Sequence, residues 1–158
     1  MSDLHNVLVF ATGEPFATSA SGYLDQRPEI REPLSRIYVK FIPQGTELQF
    51  VALLDTGGHY CILNSNVAQE IESELTEYVG EGDLRTAHGR FQGKLFLHQI
   101  TLVAETGPFL DVDVLVLAVP DWLGPNFLGY SGALDRINFP VSPRKNMFFF
   151  GPADGSPA

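Results

Sequence analysis

The sequence has little of three things: cysteine, basic residues and long apolar runs. A single cysteine, Cys61, excludes an internal disulfide framework and a cysteine-rich metal site. Ten basic residues against nineteen acidic ones give a net charge of −9. This charge argues against nucleic acid or an anionic membrane as the main partner, because both require a basic face. The longest candidate for an apolar stretch, Val112–Val119, which includes Asp113, has the length of a strand, well short of the roughly 18 residues that a membrane-spanning helix needs.

Other absences narrow the location and chemistry of the protein. Met1–Asn6 lacks the basic segment that opens a secretory signal, so we expect a cytoplasmic protein. Cys61 is expected to be a small buried hydrophobe rather than a reactive thiol. The four histidines show no metal-ligand spacing, so neither a metal nor another cofactor is expected. They are His5, His59, His88 and His98.

The chain divides into an arm, a folded domain and a tail. Residues 1–35 hold one short apolar segment, Val7–Phe10, followed by a stretch rich in glycine, proline, serine and alanine from Thr12 to Pro33. This composition predicts a loop or an N-terminal arm. Residues 36–151, with the ordinary hydrophobic content of a globular protein, are predicted to form the domain, and residues 152–158 a flexible tail.

Strand signals dominate the predicted domain. Ile37–Ile42 and Leu48–Leu54 flank a Pro-Gln-Gly-Thr turn and predict a hairpin. Leu84–His88 and Phe91–Val103 predict a second hairpin with Gly89-Arg90 at its tip. Asp111–Leu117 alternates and then becomes wholly apolar, as a strand that enters the interior does. The fold class is therefore mainly β.

One amphipathic helix interrupts the strands. Val67, Ile71 and Leu75 recur every four residues, Asn64 to Asn66 offer N-caps, and Gly80 supplies an end. A short C-terminal helix is compatible with Ser131–Arg136.

The most informative feature is the tripeptide Asp55-Thr56-Gly57, which follows the apolar run Phe50–Leu54. A carboxylate at the end of a buried strand is costly unless a nearby group requires it. The alternative is an ordinary strand-to-loop turn in which the aspartate caps its own backbone. The triplet occurs once; Glu105-Thr106-Gly107 lacks the preceding apolar run and predicts a hairpin turn.

The triplet and its neighbours, Leu53–Gly58, resemble the active-site signature of aspartic proteases. About seventy residues later a second apolar pair followed by glycine, Phe127-Leu128-Gly129, leads into a short helix and the final strands, and a glycine-containing hairpin lies between the two. This order resembles the single-domain retropepsin-like family, more its bacterial members than the viral enzymes, over Arg36 to Gly151. The resemblance implies a closed β-barrel lobe of the acid-protease type.

The resemblance also implies a homodimer. Hydrolysis of an amide needs one group to deprotonate water and another to protonate the leaving nitrogen, and two carboxyls that share a proton do both. Since the sequence has no second Asp-Thr-Gly, the second carboxyl would be Asp55 of another copy across a twofold axis. We therefore predict an aspartic endopeptidase that acts on peptides or proteins without a cofactor.

The resemblance assigns roles to further residues. Thr56 would hydrogen-bond across the axis, and Gly57 and Gly58 would let the backbone turn tightly. The flap, a mobile lid over the substrate, and the second glycine loop are assigned as follows: flap Ala87, His88, Gly89 and Arg90; loop Phe127, Leu128 and Gly129. Family flaps have more glycine at the tip, so His88 and Arg90 indicate a preference for acidic or polar substrates.

Several features leave other interpretations open. Where the family pattern continues with arginine, this chain has Tyr130-Ser131, and Tyr130 is expected to pack or hydrogen-bond in its place. This departure favours an alternative, a non-catalytic peptide-binding or dimerisation module; a general ligand-binding β-barrel is a third possibility. Phe148–Phe150 is predicted as a strand edge that invites pairing between subunits. Trp122 would pack in the core or an interface, or form the wall of a specificity pocket.

Overall fold

Strands dominate the computed structural model, which describes residues 8–23 and 36–153. The strands that precede the helix are β1 Leu8–Val9, β2 Pro15–Ala17, β3 Ser19–Gly22, β4 Tyr38–Pro43, β5 Phe50–His59 and β6 Cys61–Leu63. Those that follow it are β7 Glu77–Thr86, β8 Gly89–Leu102, β9 Leu110–Ala118, β10 Asn126–Ser131, β11 Ile137–Asn138, β12 Val141–Ser142 and β13 Met147–Pro152. The helix α1 is Ser65–Glu70, and 3₁₀ turns are formed by Glu72–Glu74, Leu134–Arg136 and Pro143–Lys145. The prediction of a mainly β fold is confirmed.

A seven-stranded sheet positions the carboxylate turn. Its strand order is β4-β5-β10-β6-β9-β8-β7, and β4 also pairs with β8. The predicted hairpin of β4 and β5 is confirmed, with Val39 opposite Ala52. β10 runs parallel to β5 and antiparallel to β6, so the end of β5 that carries Asp55 lies beside β10.

The main hydrophobic core is covered by this sheet and α1. Phe41, Leu63, Ile71 and Val116 are among its fully buried members. A second, smaller cluster joins Ile62, Leu84, Leu95, Leu117 and Val119 beneath the β7–β8 hairpin. This hairpin is therefore anchored to the body of the protein by apolar burial along its length, from Leu95 to Leu84 near the turn.

A second sheet is built on β13. β3 pairs with one side of β13, from Met147 opposite Gly22 to Phe150 opposite Ser19, while β12 and β11 pair with the other side. The prediction that Phe148–Phe150 is a free edge is therefore wrong, because both rows of backbone hydrogen bonds are used within the chain. The stretch predicted as loop or arm contains β2 and β3, whose Ala17 and Ala20 are buried.

The division of the chain at residue 35 stays a prediction. Residues 1–7, 24–35 and 154–158 lie outside the described residues, and they hold most of the predicted arm and tail. No helix within residues 8–23 and 36–153 is long and apolar enough to span a membrane.

The predicted amphipathic helix is shorter than its periodicity indicated. Asn64 caps it as expected, since its Oδ1 accepts a hydrogen bond from the Val67 backbone N–H at 3.1 Å. The helix then ends at Ile71, far short of Gly80. From Glu77 onward the chain pairs with β8, and this pairing outweighs the local helical pattern. Where a short C-terminal helix was predicted over Ser131–Arg136, β10 continues to Ser131 and a 3₁₀ turn of three residues, Leu134–Arg136, follows.

The second hairpin also differs from its prediction. Thr86 lies opposite Gly89, so the two-residue turn is Ala87-His88 and Gly89-Arg90 belongs to β8. The Thr86 hydroxyl accepts from the His88 N–H at 3.1 Å and donates to the Gly89 carbonyl at 3.2 Å. Gly89 has a φ of 136°, which a residue with a side chain rarely adopts, and this conformation fixes the start of β8 there.

The location of Cys61 predicts an inert thiol. The side chain is fully buried, and burial raises its pKa to about 12 because the interior disfavours the thiolate. At pH 8 the reactive thiolate is then a fraction on the order of 10⁻⁴. We expect no reaction with Ellman's reagent over an hour in native buffer and one thiol per chain after unfolding in guanidinium. Cys61→Ser is the blank, and complete native labelling within minutes would contradict the prediction.

Candidate active site

Asp55 lies where two parallel strands run side by side. It is half-buried on β5 and pairs with Gly129 on β10. On the other side of β5 the Leu54 N–H donates to the Ile37 carbonyl at 2.9 Å. The backbone that carries the carboxylate is thus held from both sides, which limits the positions that the side chain can take.

The carboxylate of Asp55 rests against the two glycines that follow it. Oδ1 accepts a hydrogen bond from the Gly57 N–H at 3.1 Å. A Cβ placed on Gly58 would lie 2.5 Å from Oδ2, so a larger residue there would displace the carboxylate. The hydrogen bond alone is the turn that an ordinary capping aspartate makes. The residues around the turn therefore decide whether Asp55 belongs to a functional site or only caps its own backbone.

Gly129 allows β10 to lie against the loop after Asp55. Its N–H donates to the Tyr60 carbonyl at 2.8 Å, and the Tyr60 N–H donates to the Ser131 carbonyl at 2.7 Å. A Cβ on Gly129 would lie 2.6 Å from both the His59 carbonyl carbon and the Tyr60 carbonyl oxygen. Tyr60 has a φ of 68°, a conformation that a non-glycine residue keeps only when its neighbours fix it.

A cleft of about 1070 Å³ opens over this turn. Asp55, Thr56, Gly57, Gly58 and His59 all line it. The β7–β8 hairpin supplies another part of its lining through residues 83–86 and His88. The carboxylate turn and the hairpin therefore face one common space, as the predicted flap requires.

An aromatic wall borders the cleft. The Trp122 ring is stacked with Phe127 at 6.1 Å and lies edge-on to Phe91 at 5.4 Å. Its Nε1–H donates to the Pro125 carbonyl at 2.8 Å, which leaves the ring as an apolar surface. Trp122 and Phe127 both line the cleft, so Trp122 joins a hydrophobic cluster and forms a wall at once.

The other predicted site residues occupy different places. Of the flap residues, His88 lines the cleft, whereas Ala87, Gly89 and Arg90 lie on the hairpin outside the lining. In the second glycine loop Phe127 lines the cleft, while Leu128 and Gly129 are buried beneath it.

Other cleft residues were not predicted from the sequence. Arg36, Asp83, Phe139 and Val141 all line the cleft. Phe139 follows β11, Val141 begins β12, and neither carries a motif. Arg85, which began the predicted flap hairpin without a role of its own, also lines the cleft, and Asp83 lies just before the predicted strand Leu84–His88. Alternation along β7 was the one signal that could have singled out these two.

Tyr130 does not replace the arginine of the family pattern. Its side chain is 50% exposed, and its hydroxyl makes no side-chain hydrogen bond among the described residues. The chain after β10 is held by other groups. Asp135 Oδ1 accepts from the Gly132 N–H at 3.0 Å, and the Gly132 carbonyl accepts from Leu115 at 2.8 Å.

A buried asparagine fixes the start of β10. The Asn126 amide donates to the Val51 carbonyl at 3.1 Å and accepts from the Asn64 N–H at 2.9 Å. It thereby ties β10 to β5 and to the N-terminus of α1. In the part of the chain that the structure describes, no group of three or more histidine, cysteine or carboxylate side chains could hold a metal ion.

The close approach at Gly129 predicts a large difference between two glycines. Gly129→Ala is expected to lower the free energy of unfolding by about 2–3 kcal/mol, because the new Cβ meets backbone atoms that cannot yield. Gly80→Ala is the matched control, since nothing lies within 4 Å of a Cβ there, and a change within about 0.5 kcal/mol is expected. Urea denaturation at equal protein concentration measures both, and equal midpoints would contradict the prediction.

Comparison with known proteins identifies the fold. No protein-family model and no curated protein matches the sequence. Among solved structures, the chain is similar to a retropepsin-like aspartic protease from Rickettsia conorii, with a TM-score of 0.52 and 15% sequence identity. The match covers 82% of this chain and 97% of the other. The likeness is one of fold, and it confirms the retropepsin-like architecture that the order of motifs indicated.

Proposed function

We propose that the chain is an aspartic endopeptidase that works as a homodimer. The observation that supports this function is the position of Asp55, half-buried in the wall of a large cleft and facing a hairpin, in a fold shared with a retropepsin-like aspartic protease. The cleft, at about 1070 Å³, is slightly larger than the roughly 300–1,000 Å³ typical of small-molecule sites. A space of this size suits an extended peptide.

The proposed chemistry uses two carboxyls and one water molecule. Two Asp55 side chains in contact would share one proton, because like charges so close do not both ionise. The ionised carboxyl takes a proton from water as the oxygen attacks the peptide carbonyl. The protonated carboxyl first hydrogen-bonds that carbonyl, and a proton then passes to the leaving nitrogen as the C–N bond breaks. The pair ends with its single shared proton restored.

The second carboxyl would come from a partner copy. In the single chain Thr56 and Gly57 are exposed beside Asp55. A partner copy related by a twofold axis at this point would bury their backbone and the Thr56 hydroxyl. Thr56 then hydrogen-bonds across the axis. We propose further that the β4–β8 pairing closes the large sheet into a barrel lobe, and that the protein acts in the cytoplasm.

A non-catalytic peptide-binding or dimerisation module is the second candidate. The exposed Tyr130 favours it, because it stands where the family pattern has a bracing arginine and its hydroxyl makes no side-chain hydrogen bond within residues 8–23 and 36–153. The same cleft would then hold an extended peptide without cleaving it. The two candidates differ in whether Asp55 is needed for turnover.

The protease proposal predicts that Asp55→Asn abolishes cleavage. Removing the acid–base group should lower kcat/KM on an unstructured peptide library by at least about 100-fold between pH 4 and 7. Asp113→Asn is the matched control, because Asp113 is an exposed carboxylate on β9 outside the cleft lining, and its activity should equal that of the wild type. Equal cleavage by both variants, or no cleavage by the wild-type protein, would refute the protease proposal.

The homodimer proposal predicts that an inactive chain also inactivates the wild-type chain with which it pairs. If wild-type protein is refolded with an equal amount of Asp55→Asn, random pairing leaves half of the wild-type chains with a wild-type partner. Total activity should fall to about half of that of the wild-type chains alone. The same amount of Asp113→Asn should raise total activity to about twice that level. Two results together would count against the pairing: equilibrium sedimentation that shows a monomer at micromolar concentration, and a total activity that does not change when Asp55→Asn protein is mixed in.

A further inference from the structure

The cleft lining does not share the acidic excess of the chain. The whole sequence carries −9, yet the cleft lining includes Arg36 and Arg85 as well as His59 and His88. Among the described residues, Asp55 and Asp83 are the carboxylates of that lining. The arginines and aspartates of the cleft are thus equal in number, whereas the chain as a whole has almost twice as many acidic as basic residues.

One of the two carboxylates is already engaged. Asp83 forms a hydrogen-bonded ion pair with Arg90, a residue of β8 that does not line the cleft. Arg85 lies directly opposite Arg90 in the register of β7 and β8. Like charges in facing positions destabilise a strand pair. Between Asp83 and Arg90, the tip of the hairpin therefore holds two guanidinium groups and one carboxylate, and the exposed Arg85 has no ion-pair partner among the described residues.

Arg36 adds a second positive charge near the carboxylate turn. It precedes Ile37, whose carbonyl accepts the hydrogen bond from Leu54, the residue before Asp55. Arg36 therefore lies beside the carboxylate turn, and Arg85 lies on the hairpin that faces the same space. In the proposed dimer both arginines occur twice, whereas the two Asp55 carboxyls with one shared proton carry a single negative charge. The site as a whole is then cationic.

We propose that this cleft selects extended peptides with a glutamate or aspartate side chain near the bond to be cleaved, and that Arg85 is the residue that determines this specificity. The proposal rests on the proposed peptide-binding function and names its substrate class. A guanidinium presents a planar fork of N–H donors that matches a carboxylate, so an acidic side chain of the substrate would pair with Arg85 at the tip of the hairpin. The acidic preference indicated by His88 and Arg90 is thereby assigned to Arg85, since Arg90 is held by Asp83.

Matched peptides test this specificity separately from catalysis. The peptides are acetylated and amidated, so that no terminal carboxylate contributes, and each pair differs by Glu against Gln at one position within four residues of a cleavage site. If the wild-type protein cleaves nothing, there is no cleavage site to place the substitution, and Glu and Gln peptide pairs of the same design are taken from an unbiased peptide set instead. Binding is measured by fluorescence anisotropy with the full-length Asp55→Asn protein at about 20 mM and 500 mM salt, and cleavage with the wild-type protein.

We expect a Glu peptide to bind roughly fivefold more tightly than its Gln partner at low salt, and this ratio to shrink at high salt. Adding Arg85→Gln to the Asp55→Asn protein should bring the ratio close to one. Arg85→Glu should reverse the preference toward Lys peptides. Lys94→Gln is the matched control, because it removes one positive charge from the same hairpin outside the cleft and should leave the ratio unchanged.

Each outcome decides between the proposals. A Glu to Gln ratio near one at every position would overturn the acidic specificity, and so would an equal loss of the ratio in the Lys94→Gln protein. Cleavage without any Glu preference leaves the protease function standing and removes only the specificity. Tight, Arg85-dependent binding of Glu peptides without cleavage supports the specificity and transfers it to a binding module. Should Arg85→Gln not fold, as judged by thermal denaturation, the Arg85→Glu protein, which also lacks the positive charge, tests the same dependence.

Discussion

The contact between Gly129 and the backbone of His59 and Tyr60 is the constraint on which the candidate site depends. Without a Cβ at Gly129, β10 lies close enough for its backbone to bond to Tyr60 on both sides. This approach keeps Tyr60 in a left-handed conformation and reverses the chain after Asp55. The carboxylate, the exposed loop beside it and the floor of the cleft all follow from that reversal.

Local patterns predicted those parts of the fold whose stability is local. The hairpin of β4 and β5 formed as expected, because its turn residues and alternation act within a few positions. The helix was overestimated: Leu75 has helical spacing but packs on the core from outside the helix, while the chain from Glu77 joins β8. Likewise, Phe148–Phe150 looked like an open edge because its partner β3 comes from a stretch without a recognisable strand pattern.

The residues of the candidate site likewise fall into those that a local pattern predicted and those that depend on the fold. Asp55 and the glycines after it were recognisable, because an apolar run followed directly by a carboxylate and a glycine turn is an uncommon pattern, and all of it lies within a few residues. No role for Arg36 or Arg85 was recognisable, since each is an ordinary exposed arginine until the fold brings it to the cleft. The engagement of Arg90 by Asp83 is equally invisible in the sequence, because it depends on the register of the hairpin.

The open edge of the β7–β8 hairpin also affects the tendency of the protein to aggregate. β7 is the last strand of the large sheet, so its outer row of backbone groups has no strand partner among the described residues. An open edge of ten residues is a template for aggregation. Here it carries Glu77, Glu81 and Asp83 and a break in register between Tyr78 and Gly80. The acidity of the chain, placed along this strand, therefore acts as protection against edge-to-edge polymerisation while leaving the hairpin uncovered.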